Sequence, residues 1–122
     1  MAYGGNPPYL AVTEQWNGTS WTEVSDLGTA RYGVACAGTS TAALCGGGQT
    51  TGSPAVPAVT EQWDGTVWSS VANMGTARKA LAGFGSSVYN VVAAAGNLDA
   101  NNAVTAATEE WTISQNVEII TD

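Results

Sequence analysis

The sequence predicts an all-β protein assembled from consecutive sheets of short antiparallel strands. Three observations carry that expectation. The stretch TEQWNGTSW at 13–21 returns as TEQWDGTVW at 60–68 and, shortened, as TEEWT at 108–112. Other markers keep the same register: Trp16 and Trp63, Trp21 and Trp68, and the run GTAR at 28–31 and 75–78 each stand 47 residues apart, and a fixed period of this length marks a repeated supersecondary unit. Finally, no stretch keeps the apolar period of a helix, whereas Asn17-Gly18 and Asp64-Gly65 are hairpin signals between strand-like runs.

The composition points the same way and excludes several functions. Charged residues make up 11% of the 122, against about 25% in an ordinary domain. Gly, Ala, Thr and Ser take their place, which favours closely spaced β structure, with five Trp as the large anchors. The net charge is −7, with three cations and no His. A nucleic-acid partner needs Lys and Arg to displace phosphate counterions, so that class is excluded, and an anionic membrane surface is disfavoured for the same reason. No run approaches the roughly 18 apolar residues of a membrane span, so no membrane insertion is expected. The opening MAYGGNPPYL lacks a basic stretch followed by an apolar one, so no signal peptide is visible.

Taken in order, the chain reads as a single array of a partial unit (1–30), a complete unit (31–77) and a third unit (78–122) with a divergent end. In the first, Met1 to Gly5 aligns with the end of a second strand, and VTEQW (12–16) and TSWTEV (19–24) follow; an opening strand is missing. In the second, YGVACAG (32–38) and AALC (42–45) precede a triple glycine at 46–48. A polar, Pro-containing loop (49–57) leads to VTEQW (59–63) and TVWSSV (66–71). The first two of these strands lack in/out alternation, which fits coverage on both faces. The third unit runs through ALAGFG, VYNVVAAAG and ATEEWT, after which ISQNVEIITD replaces the expected Gly-Thr-x-Trp strand. Four-stranded twisted sheets repeated every 40–50 residues are the blades of a β-propeller.

The unit resembles a kelch repeat. The matching residues are Arg31, Gly46-Gly47, Glu61-Gln62-Trp63-Asp64, Trp68, Asn73-Met74 and then Arg78. The third unit matches more loosely through Arg78, Ala95-Gly96 and Glu109-Glu110-Trp111. Trp stands where the family usually has Tyr. The resemblance covers nearly the whole chain and implies about three kelch-like blades, the first incomplete. A propeller needs about four to eight blades, so one chain cannot close it. Three continuations stay open: a ring of two or so chains, a filament, or a piece of a longer propeller. Chains of this composition and kind look like phage tail-fibre and environmental surface proteins, which implies an extracellular or virion-surface setting.

Candidate residues follow from the register. Arg31 and Arg78 recur, as do Glu14, Glu61 and Glu109. A blade-to-blade Arg–Glu pair is expected, since a guanidinium fork can tie a turn to carbonyls and a carboxylate. Trp16, Trp21, Trp63, Trp68 and Trp111 are expected to pack between blades rather than stack on sugars, because they recur strictly. Subunit contacts are expected at Tyr3 and at the β-branched end (Val117, Ile119, Ile120), a segment suited to completing its own blade or a neighbour's. The variable loops offer Tyr9, Asp99, Asn101 and Asn102 for a glycan or protein ligand. Asn17 is the only glycosylation sequon, although its counterpart Asp64 shows that the turn alone explains it. Cys36 and Cys45 flank a hairpin, either as a cross-strand disulfide or as two small buried residues.

No catalytic constellation is visible. Without His there is no triad or His-based metal set, and the Cys residues have no partner base. Glu109 and Glu110 are adjacent, hence on opposite faces of a strand. The copper-oxidase ligand set found in part of the kelch family has no counterpart. The expectation is a non-enzymatic structural or interaction protein without cofactor, whose main partners are other copies of itself; a ligand-binding propeller is the alternative.

Overall fold

In the computed structural model, residues 1–3, 9–51, 55–98, 101 and 103–112 are described, Ala2 and Tyr3 by their backbone alone. They form three antiparallel sheets and no helix. The first sheet contains β1 (Ala2–Tyr3), β2 (Thr13–Trp16) and β3 (Trp21–Val24). The second contains β4 (Ala35–Gly38), β5 (Ala43–Gly46), β6 (Thr60–Trp63) and β7 (Trp68–Val71). The third contains β8 (Ala82–Phe84), β9 (Asn90–Ala94) and β10 (Thr108–Thr112). Strands adjacent in sequence are adjacent in each sheet, and no sheet closes on itself. The architecture is therefore all-β and blade-like. β1 pairs with β2 as β5 pairs with β6, so among the described residues the first sheet has no counterpart of β4. The residues proposed for a fourth strand of the third sheet lie outside the described ones.

The strands are shorter than the sequence patterns suggested, for a local reason. Gly33 turns the chain at φ +67° before β4, so Tyr32 makes only an isolated bridge to Gln49. At the far end of β5, Gly47 and Gly48 (φ +70° and +100°) bend the chain away. A Cβ on Gly47 would collide with the Arg78 carbonyl oxygen, where the chain passes into the third sheet. The third unit repeats both bends with alanine: Ala80 at φ 49° matches Gly33, and Ala95 at φ 58° matches Gly47.

Both hairpin signals form the same side-chain-closed turn. Asn17 Oδ1 accepts the Thr19 and Ser20 amides at 2.9 Å. Asp64 Oδ1 accepts those of Thr66 (2.8 Å) and Val67 (2.9 Å). The Val67 and Thr66 amides hold the exposed Asp64 carboxyl below its ordinary value, because each bond favours the ionised form.

The sheets stack face to face. The main core lies between the first and second: Leu27, Ala43, Cys45, Trp63 and Trp68, with Met1, Ala11, Val24 and Cys36 packed against them. Between the second and third sheets β4 lies on β8, with Gly83 set against Ala35. Each sheet thus has a leading face toward the sheet before it and a trailing face toward the next. Alternation along a strand assigns residues to faces. On β6, Glu61 and Trp63 lead and Thr60 and Gln62 trail.

Candidate functional site

The repeated arginines build one latch twice. The chain crosses from the first sheet to the second through 25–31. On this crossover the Gly28 amide donates to Glu61 Oε1 at 2.6 Å. The Arg31 guanidinium donates to Glu61 Oε2 (2.8 Å) and to the carbonyls of Val59 (2.8 Å) and Gly47 (3.0 Å). Both members of the ion pair are fully buried. Burial pushes the Arg31 guanidinium below its ordinary value, and the Glu61 charge opposes that shift. The next crossover repeats the pattern. Gly75 and Thr76 amides and Arg78 bond Glu109, and Arg78 also bonds the Ala107 and Ala95 carbonyls.

The expected blade-to-blade pair is corrected by this geometry. Each Arg bonds the Glu of the unit it opens, about one unit's core away in sequence, and so clamps the incoming crossover onto that unit's own sheet. No ion pair to Glu14 is found among the described residues.

The tryptophans divide by position. Trp63 and Trp68 lie on the leading face of the second sheet at 1% and 9% exposure, covered by the first sheet and Leu27. Trp63 Nε1 donates to the Ser40 carbonyl (2.9 Å). Trp68 Nε1 crosses the interface to Thr13 Oγ1 (3.0 Å), on the trailing face of the first sheet. Trp16 and Trp21 form the same tilted pair, with ring centroids 5.6 Å apart against 5.5 Å for Trp63–Trp68. Yet they are 47% and 51% exposed. Among the described residues no sheet lies in front of their face, so these two are not packed between sheets within one molecule.

The opposite end is bare in the same way. On the second sheet's trailing face Ala35, Leu44, Gly46 and Thr60 are buried beneath the third sheet. Their counterparts on the third sheet are Ala82, Val92, Ala94 and Thr108; Ala82 and Thr108 are exposed, Val92 and Ala94 are half-buried, and Phe84 beside them is 58% exposed. Trp111, half-buried, lines a cavity of about 100 Å³ between the second and third sheets with Leu44, Met74 and Thr60. Register would place a Trp68 counterpart at Asn116, which lies outside the described residues.

The remaining candidates are scattered. Tyr9 packs on Tyr32 (centroids 5.4 Å) rather than standing free in its loop. Asn101 is exposed in a turn. Asp99, Asn102, Val117, Ile119 and Ile120 lie outside the described residues, as does the side chain of Tyr3. Asn17 is exposed and occupied with its turn. Cys36 and Cys45 face each other across β4 and β5 and are joined as a disulfide, so of the two readings the bridged one describes the fold. Three features escaped the sequence reading. The threonines 13, 60 and 108 were visible as markers but not as interface acceptors. Leu27 was not singled out as the wedge between sheets. Buried Lys79, in register with Tyr32, shares Gln49 Oε1 with the Tyr32 hydroxyl, both at 2.7 Å.

No family model and no curated protein matches the chain.

Proposed function

We propose that this chain is a structural protein of kelch-like propeller blades that works by assembling with copies of itself, as a filament or as part of an extracellular or virion appendage. The observation that carries this reading is the contrast between two identical TEQW strands. Trp63 and Trp68 are buried by the neighbouring sheet, while Trp16 and Trp21, in the same geometry, are half exposed. Covering the second pair as fully as the first removes roughly 200 Å² of aromatic surface from water, about 5 kcal/mol. Association costs at least about 4 kcal/mol, so the pair alone gives little net affinity. The exposed face of the third sheet supplies further apolar area.

Solution mass and negative-stain electron microscopy of the purified chain test the reading. Filaments or discrete multimers support it. A persistent monomer at tens of micromolar refutes it. Closed rings in particular turn attention to the loops around Asn101 as binding sites.

A further inference from the structure

We infer that copies join head to tail. The leading face of one copy's first sheet, carrying Trp16 and Trp21, seats on the trailing face of another copy's third sheet, carrying Thr108, Phe84 and Val92. This rests on the self-assembly reading above and specifies its contact.

The chain contains its own template for the joint. Within one molecule, a leading Trp pair meets a trailing face whose threonine accepts a hydrogen bond: Trp68 Nε1 to Thr13 Oγ1 at 3.0 Å. Three threonines share that position. Thr13 and Thr60 are buried beneath a following sheet, and Thr108 is exposed. Two hairpin Trp pairs share the other side of the joint, one buried and one exposed. The two bare surfaces are therefore the two halves of an interface the molecule already makes, and Trp21 Nε1 meets the second copy's Thr108 Oγ1. The fit has a further element. Phe84 stands where the second sheet has Ala37, so the third sheet's trailing face is bulkier at its inner strand. Among the described residues the first sheet has no inner strand to compete for that space.

A contact between two different faces leaves one of each face free, so it continues until a ring closes or a filament grows. A contact of the Trp face with itself would stop at a dimer. Two variants separate these outcomes: Trp21→Ala disables the leading face and Thr108→Arg the trailing face. Both sites are exposed, and matching circular dichroism and melting temperature establish that each variant folds. Trp16→Ala and Glu110→Arg replace them if either does not.

Sedimentation is expected to show each variant alone as a monomer at concentrations where the wild type assembles. Their equimolar mixture is expected to yield a dimer and nothing larger, because one good contact remains per pair. Thr108→Val, which removes only the acceptor, is expected to weaken assembly about tenfold. Wild-type-like assembly by Thr108→Arg, or a mixture that stays monomeric, overturns the head-to-tail contact while leaving self-assembly standing. A monomeric wild type overturns both.

Discussion

Replacing Glu61 with Gln isolates the energetics of the latch. The substitution keeps the shape of the side chain and removes its charge. Arg31 then remains fully buried without an opposite charge, with the Gly47 and Val59 carbonyls as its retained acceptors. The Gln oxygen can serve either Gly28 N–H or the guanidinium, and the new amide group faces donors. Breaking a buried ion pair by removing one partner costs about 3–5 kcal/mol, a large share of the roughly 5–15 kcal/mol that stabilises a domain. With an unfolding entropy of about 2.1 cal/mol/K per residue, a chain of this length loses about 4 °C per kcal/mol, so the melting temperature drops by about 12–20 °C. The repeat supplies two internal comparisons. Arg78 is as buried as Arg31, but Glu109 keeps 28% of its side chain exposed, so the native pair is already partly hydrated, water can reach its place, and Glu109→Gln costs less, about 2 kcal/mol. Glu14 makes no ion pair among the described residues, so Glu14→Gln costs under about 0.5 kcal/mol. Urea unfolding of the three variants at one protein concentration measures the series. If the penalty comes from an unpaired cation, adding Arg31→Met to Glu61→Gln costs far less than the sum of the two single changes. Equal effects at the three positions, or a loss below about 1 kcal/mol for Glu61→Gln, would refute the latch.

Ala95→Gly and Ala80→Gly are each expected to raise stability by about 0.5–1 kcal/mol. The left-handed conformation costs an L-residue about 1–2 kcal/mol, and part of the gain is offset by the greater freedom of Gly in the unfolded chain; urea midpoints that fall instead would show that the alanines are not strained. Asp64→Asn is expected to leave stability at pH 7 nearly unchanged and to reduce its acid dependence. The lowered carboxyl value means that Asp64 contributes fully above the ordinary carboxylate range, and the contribution is lost as pH falls through its folded value. Asn17 already closes the equivalent turn without a titrating group. Unfolding curves from pH 2 to 5 with an unchanged slope count against this. Assembly is expected to strengthen between 20 and 300 mM salt, because chains of net charge −7 repel one another; sedimentation showing weaker association at high salt would contradict it.

The sequence made the period, the three sheets and the recurring Arg, Glu and Trp legible, because each belongs to a local pattern that the repeat displays more than once. What it concealed depends on neighbours. TEQW at 13–16 and TEQW at 60–63 are the same four residues, yet one Trp is buried and the other is not. Burial there is decided by whether another sheet lies in front, and no residue within the strand encodes that. The direction of the Arg–Glu pair was hidden for a similar reason. Arg31 lies at a unit boundary, so spacing alone assigned it equally to the sheet it leaves and to the one it enters. The left-handed alanines were concealed because Ala signals no bend; only their register with Gly33 and Gly47 pointed to them.

In the proposed assembly the joint between copies is weaker than the joints within a chain, for two reasons. Inside the chain, a short crossover holds adjacent sheets together, so their faces meet without the translational and rotational loss of a bimolecular encounter. That same crossover delivers the Gly28 amide and Arg31 to Glu61. In the proposed contact Glu14 has no counterpart of that ion pair among the described residues. The proposed intermolecular contact therefore has the Trp face and the threonine acceptor without the buried ion pair, and it adds a carboxylate at its edge. Assembly through such a contact is reversible and concentration-dependent, and it depends on the repetition of the joint rather than on the strength of any single one.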